Sequence, residues 1–226
     1  MFAARSVLIF ALLPLFAGCQ MLASTPDKPS TAGMTRLQGD LIGENGQLLF
    51  QPCNQQRRYV VTDVGSTSVL QEAASLATRQ GKLFADLRGK FVPNTTPGAD
   101  GQLSLQQMYR VERPGPGAAC DDPNFKRLTI RAYGNTPAWN VNVSGKGLVL
   151  ERQGKDDLAV PYLEEQLPDG RFNLSTQANG QDVELWIAPQ RCVDMADGSV
   201  QHLTAELRVN GTVQRGCAYY GGSRDD

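Results

Sequence analysis

The stretch LTAELRVNGTVQRGCAY, residues 203–219, decides the fold. Apolar and polar side chains alternate along Leu203–Val209, which is the period of a half-buried β-strand. Asn210-Gly211 is a two-residue turn signal, because both residues tolerate the positive φ angles of a tight hairpin turn. The sequence therefore predicts a β-hairpin that pairs Leu203–Val209 with Thr212–Tyr219.

The residues before this hairpin continue the β pattern. Turn signals such as Gly145-Lys146-Gly147 and Pro168-Asp169-Gly170 separate short alternating segments. We expect residues 118–222 to form an all-β domain, an antiparallel meander that closes as a barrel or a small sandwich. Its other predicted strands are Arg127–Tyr133, Trp139–Val143, Gly147–Arg152, Leu158–Tyr162, Arg171–Ser175 and Asp182–Pro189.

Residues 34–113 combine strands with one helix. The helix is predicted over Ser68–Gln80, after the cap candidates Ser66-Thr67-Ser68 and before Gly81. The order β-β-β-α-β-β predicts an OB-like five-stranded barrel. The apolar face of the helix carries Val69, Ala73, Leu76 and Ala77, and the predicted strands are Leu37–Ile42, Gln47–Phe50, Arg57–Thr62, Lys82–Val92 and Leu103–Glu112.

The fold class is thus mainly β, with two small antiparallel β domains. Arg113–Gly117 is the clearest linker pattern, because proline and glycine end regular elements. The loop Pro93–Gly101, between the last two strands of the first domain, is rich in the same residues. We place the domain boundary between residues 113 and 118.

The amino-terminal sequence indicates where the protein works. Phe16-Ala17-Gly18-Cys19 ends a short apolar run that follows Arg5, as in a bacterial lipobox. Residues 1–18 are then a lipoprotein signal peptide, and Cys19 carries the palmitate-type acyl chains. An ordinary secretory signal also fits, whereas a transmembrane helix needs about 20 apolar residues.

Two features follow from the lipoprotein interpretation. Residues 19–33 are rich in Ser, Thr, Pro and Ala, and we expect them to form a flexible tether. Gln20 stands where an aspartate would favour retention at the inner membrane. We therefore expect a protein that is lipid-anchored in the outer membrane and faces the periplasm.

Cysteine usage indicates the same compartment. Five cysteines less Cys19 leave an even number in an exported chain, which predicts two disulfides. Three pairings are open. We favour Cys53–Cys120 and Cys192–Cys217, because each pair would lie inside one domain. The spacing does not suit zinc, and no metal or cofactor is expected.

Two resemblances support an envelope protein. The first domain resembles the OB-fold domain of the NlpE family of outer-membrane lipoproteins. The matching residues are Phe50-Gln51-Pro52-Cys53, Arg57–Val61, Phe84–Gly89 and Tyr109-Arg110-Val111. That family is linked to copper and to envelope-stress signalling upon surface contact. The Cys-x-x-Cys pair of its other domain is missing from this chain.

The second domain resembles a family of bacterial envelope lipoproteins that has no established activity. The matching motifs are Gly134–Trp139, which departs from Gly-Asn-Glu-Pro-Phe-Trp at Thr136 and Ala138, then Cys192–Met195 and Gly216–Ala218. The resemblance implies an all-β fold and an envelope location, and it implies no chemistry.

Three side chains are candidate binding residues. Asn135 and Trp139 belong to a segment that would form a binding lip, with Trp139 as a stacking platform. The alternative is that Trp139 enters the core, as large aromatic side chains commonly do. Asp194 with Asp197 would make an acidic site, although a calcium site needs more oxygen ligands. The alternative is that Cys192 pins this segment as a structural turn.

No catalytic residue is predicted. The single histidine, His202, lacks a nucleophile motif around it, and we expect it at the surface. The formal net charge of −1 and the absence of basic runs argue against nucleic acid.

The expected function is that of a lipid-anchored envelope protein with a binding, sensing or adaptor role and no evident catalysis. Its partners would be the membrane, through the lipid, and another envelope protein. The alternatives are an envelope lysozyme-type inhibitor and a structural outer-membrane lipoprotein.

Overall fold

The computed structural model describes residues 32–65, 68–93 and 97–224. Within them the chain forms one α-helix, α1 (Val69–Gln80), two single-turn 3-10 helices and two β-sheets. The strands are β1 (Thr35–Glu44), β2 (Gln47–Pro52), β3 (Tyr59–Asp63), β4 (Leu83–Val92), β5 (Gly101–Glu112), β6 (Leu128–Asn135), β7 (Ala138–Ser144), β8 (Gly147–Arg152), β9 (Leu158–Val160), β10 (Leu163–Gln166), β11 (Phe172–Ala178), β12 (Gln181–Ala188), β13 (Cys192–Val193), β14 (Val200–Gln201), β15 (Leu203–Val209) and β16 (Thr212–Tyr220).

The first sheet contains the predicted closed barrel. Its strands follow the order β1-β2-β3-β5-β4, and β4 returns to pair with β1. Strands β3 and β5 run parallel, and the other neighbours run antiparallel. The chain order with one helix after β3 confirms the OB-like five-stranded barrel.

Helix α1 packs on this barrel through the face that the sequence indicates. Its buried side chains are Val69, Ala73, Leu76 and Ala77, which are the four predicted ones. The helix ends at Gly81, whose amide donates to the Ala77 carbonyl over 2.7 Å. Ser68 caps the amino terminus without a side-chain hydrogen bond, and Ser66 and Thr67 lie outside the described residues.

The second sheet has nine strands in the order β10-β11-β12-β15-β16-β6-β7-β8-β9. It consists of two meanders that are joined where β16 pairs with β6. The predicted hairpin is confirmed, with Val209 opposite Thr212 across the turn. Asn210 and Gly211 have φ angles of 49° and 81°, the positive values that this turn requires. The sheet curls around its own core of apolar side chains.

The segment between β12 and β15 departs from the sequence-based prediction. Strands β13 and β14 join the sheet of the barrel, because β14 pairs with β5 through Val200 and Val111. Both strands have only two residues, which is too short for an alternation of apolar and polar side chains to predict them from the sequence. The predicted linker is also fixed in place, since Gly115 and Ala118 form a β-bridge and the Gly117 carbonyl accepts a hydrogen bond from Arg110.

Both disulfides have the predicted partners, but the reason given for them is wrong. Cys192 lies on β13 in the sheet of the barrel, whereas Cys217 lies on β16 in the second sheet. Cys53 follows β2, and Cys120 lies beyond the Gly115–Ala118 bridge on the way to β6, so this bond crosses the boundary placed between residues 113 and 118. The bond between Cys192 and Cys217 therefore joins the two sheets instead of closing one domain.

A buried charged cluster completes the junction between the sheets. Arg36 donates two hydrogen bonds to Asp86, over 2.9 and 2.8 Å, and two more to the carbonyls of Tyr220 and Gly221. Asp86 is fully buried and Arg110 is 1% exposed. Because these groups are shielded from water and fixed by several partners, their role is to hold the barrel against the second sheet.

Two further facts concern the membrane. No helix among the described residues is long and apolar enough to cross a bilayer. The predicted signal peptide, Cys19 and the tether up to residue 31 lie outside the described residues.

Candidate functional site

A groove of about 870 Å³ opens on the outer face of the second sheet. Its floor is formed by β12, β15 and β16, and its wall is the segment that leads from β12 through β13 to Ala196. Sites that bind small molecules usually have volumes of roughly 300–1,000 Å³. The groove is therefore large enough for a ligand or for part of a protein chain.

Strand alternation decides which side chains face this groove. On β12, Val183, Leu185 and Ile187 point into the core, which places Trp186 on the opposite face. On β15, Leu203, Ala205 and Leu207 are likewise inside, so that Glu206 and Arg208 project outward. The register sets Trp186 directly opposite Glu206, and Glu206 directly opposite Arg215 of β16.

The wall of the groove is fixed by three attachments. The disulfide between Cys192 and Cys217 ties it to the floor. Asp194 accepts two hydrogen bonds of 2.8 Å from the Asn135 side-chain amide, and a third from the Ala196 amide. Asp197 accepts hydrogen bonds from the amide and the hydroxyl of Ser199, which closes the following turn. These links fix the position of the wall relative to the floor of the groove.

Three arginines line the groove, with two carboxylates among them. Arg208 and Arg215 both donate to Glu206, over 2.7 and 3.3 Å. The hydrogen bonds from Arg208 hold the pKa of Glu206 below its usual value, and those from Arg215 act in the same direction. The third arginine, Arg171, has a side chain that is 52% exposed. Arg171 pairs with Asp169 over 3.6 Å, and Arg208 pairs with Glu184 over 3.7 Å as well as with Glu206. Arg215 is therefore the most exposed cation of the groove.

An aromatic side chain and an exposed methionine complete the site. The half-buried Trp186 lies below Arg208, whose guanidinium carbon is 5.1 Å from the ring, and its indole N–H donates to Glu184. Met195 is 93% exposed at the groove, and its neighbour Val193 is 39% exposed. Methionine in particular is over-represented at binding surfaces that adapt to different partners.

The structure places the three predicted binding residues in two environments. Asn135 and Asp194 line the groove, where they bond to each other as described above. Trp139 is 3% exposed within the core, so it cannot act as a stacking platform. Its indole lies against Gly134 and Gly216, at which an added Cβ would come within 3 Å of the ring. The glycines of the two motifs therefore make room for this tryptophan.

His202 is partly buried at the junction between the sheets, whereas the sequence-based prediction placed it at the surface. Its Nδ1 lies 2.9 Å from the Tyr109 carbonyl, and its ring contacts Tyr109 and Tyr220 edge-on. Burial lowers the pKa of His202 to about 3, and the charge of Arg36 acts in the same direction. The ring is consequently neutral at physiological pH and belongs to the junction between the sheets.

The acidic-site hypothesis for Asp194 and Asp197 has no support in this geometry, because both carboxylates are used in hydrogen bonds within the wall. Among the described residues, no group of three or more His, Cys, Asp or Glu side chains is placed to hold a metal ion.

Comparisons with known proteins identify no relative. No family model, curated protein or solved structure matches this chain. The candidate site therefore rests on its own geometry.

Sequence reasoning missed Trp186, Arg208, Arg215 and Met195. The first three could have been found, because they lie in correctly predicted strands at the alternate positions that point away from the core. No signal indicated Met195, because its position depends on a disulfide to a distant strand and on the two hydrogen bonds that its neighbour Asp194 accepts from Asn135.

Proposed function

We propose that this protein is a lipid-anchored envelope protein whose function is to bind another molecule in the groove beside Trp186. The anchor is Cys19, and the compartment is the periplasmic side of the outer membrane. The role is that of a sensor or adaptor, since the groove brings together side chains that can contact a partner and such a role requires no reaction.

The proposal for the compartment has two supports. The lipobox-like sequence ends at Cys19. Two disulfides join distant parts of the chain, and such bonds persist in oxidising compartments. A protein with both features is best explained as one that is exported and then retained by lipid.

One observation carries the binding role: a cavity with a fixed wall whose accessible groups are aromatic, apolar and cationic. Tryptophan, methionine and arginine are enriched at the centres of protein interfaces. In the described residues Met195 has the highest exposure among the large apolar side chains, and exposing it to water has no structural benefit.

The binding role is tested by crosslinking in intact cells. The wild type is compared with Met195→Glu, which places a charge at the groove on a side chain with almost no structural contacts. The matched control is Val64→Glu, because Val64 is 56% exposed on the barrel. We expect one dominant crosslinked species that is lost in Met195→Glu and retained in Val64→Glu. Equal crosslinking in all three proteins would contradict the assignment of the groove.

The anchor is tested separately with Cys19→Ala. We expect the wild type to incorporate radiolabelled palmitate and to sediment with outer membranes, and the variant to do neither. Unlabelled wild type that is released as a soluble protein would instead indicate ordinary secretion.

A further inference from the structure

The charge of the groove contrasts with that of the chain. The whole protein has a formal net charge of −1, whereas three arginines and two carboxylates line the groove. Arg215 is 83% exposed and Arg208 is 42% exposed, while Glu206 between them is only 24% exposed. Arg208 also pairs with Glu184 over 3.7 Å, so Arg215 is the guanidinium that an incoming ligand meets first. A guanidinium group binds a carboxylate through paired hydrogen bonds, which makes acidic ligands the complementary class.

The groove also offers a place for an apolar side chain beside those cations. Trp186 lies on the floor and Val193 and Met195 lie on the wall. Methionine adapts its shape to different partners, and tryptophan presents a large rigid surface. An apolar side chain between them would be flanked by Arg208 on β15 and Arg215 on β16.

Polar groups alternate with apolar ones along the lining. Thr204, Gln190 and Asn135 stand among the apolar residues. A long hydrocarbon chain would cover these groups without offering them hydrogen bonds, which costs free energy. A peptide backbone supplies a donor and an acceptor at every residue and so fits this pattern better.

We propose that the groove binds an acidic segment of another protein, with an apolar side chain between Trp186 and Met195 and carboxylates on Arg208 and Arg215. This inference rests on the proposed function and specifies its partner. The partner segment is short, because an extended chain covers about 3.3 Å per residue and the floor is three strands wide at roughly 4.8 Å each.

The test uses a displayed library of random dodecapeptides and the full chain carrying Cys19→Ala, so that no lipid is present. Enriched sequences are synthesised, and their affinity is measured by fluorescence anisotropy. We expect them to contain at least two Asp or Glu residues next to an apolar residue. Binding should weaken at least tenfold in Arg215→Glu and should fall as the salt concentration rises.

The matched control is Lys155→Glu, which makes the same charge change at an exposed turn away from the groove. Its affinity should equal that of the wild type. Enrichment of neutral or basic peptides, or an equal loss in the control, would overturn the acidic-segment proposal. It would also be overturned if dodecanoate bound at Trp186, detected as a change in tryptophan fluorescence that is absent in Trp186→Phe, while no peptide was enriched. None of these results would affect the Met195-dependent crosslinking, so the two proposals can fail independently.

Discussion

The protein contains two clusters of arginines that differ in burial and in consequence. At the junction of the sheets, Arg36 and Arg110 are enclosed with Asp86 and are fixed by backbone carbonyls and side chains. At the groove, Arg208 and Arg215 share Glu206 and remain accessible to solvent. The ion pairs of the first cluster are buried and stabilise the fold. Those of the second cluster are exposed, so its guanidinium groups can exchange their partner for a ligand.

This contrast shows what separates a structural ion cluster from a binding surface. A buried ion whose partner is removed cannot be rehydrated, so the loss affects folding. An exposed ion whose partner is removed returns to water at little cost, so the loss affects binding alone. The predictions below use this difference.

The largest effect is expected for Asp86→Ala. It leaves Arg36 mostly buried without a carboxylate partner and leaves Arg110 with Glu112 alone, and it should lower the free energy of unfolding by about 3–5 kcal/mol. Asp40→Ala is the matched control, because Asp40 pairs with Lys82 over a similar distance of 3.0 Å at the surface. It should change stability by less than about 1 kcal/mol. Urea denaturation measures both, and similar values would contradict the distinction between the clusters.

The disulfide Cys192–Cys217 belongs to both regions, since it joins the two sheets and fixes the groove wall. Replacing both cysteines by serine should lower the free energy of unfolding by about 3 kcal/mol, because the loop of 25 residues is no longer closed in the unfolded chain. It should also abolish the Met195-dependent crosslink. A variant that lost stability but kept the crosslink would show that the wall does not need this bond.

A pH effect of intermediate size is expected at the junction. His202 has a folded pKa of about 3 and an ordinary value of 6.5, so the unfolded chain takes up its proton first as the pH falls. Its contribution to stability is complete above pH 6.5 and is lost towards lower pH, by up to about 1.4 kcal/mol per pH unit.

The variant for this test is His202→Phe, which keeps an aromatic ring between Tyr109 and Tyr220. Unfolding free energies at pH 6.5 and pH 5 should differ by up to about 2 kcal/mol more in the wild type than in the variant. Equal pH dependence in the two proteins would mean that His202 is accessible to protons in the folded state.

The smallest effect on stability is expected at the groove. Arg208→Ala removes an exposed guanidinium and should alter the free energy of unfolding by less than about 1 kcal/mol, while it weakens binding of the selected acidic peptides. Thermal denaturation and fluorescence anisotropy measure the two quantities on one sample. A strongly destabilised Arg208→Ala protein would mean that this arginine stabilises the fold, as Arg36 and Arg110 do.

The sequence predicts the local elements of this protein better than its tertiary contacts. The barrel order, the buried face of α1 and the hairpin at Asn210-Gly211 were predictable, because each depends on a local period or turn. Strands β13 and β14 were not, since two residues carry no period. Nor does the sequence distinguish Arg110 from Arg208, because both lie in alternating strands and only the tertiary contacts decide which one is enclosed.

The motifs that pointed to a site illustrate a second limit. Gly134 and Trp139 are adjacent in a motif and meet in the core, while Asn135 between them turns outward to Asp194. The spacing located the right loop, and Asn135 lines the groove as predicted, but burial removes Trp139 from the binding surface.

The most direct test of the account is site-specific photo-crosslinking in intact cells, with a benzophenone amino acid in place of Met195 or of Val64. The account predicts an adduct of one size from position 195, none from position 64, and loss of the adduct when Arg208 and Arg215 are both replaced by glutamine. An adduct from position 64 alone would contradict the assignment of the groove as the binding site. An adduct from position 195 that persists without the two arginines would contradict the acidic-segment proposal.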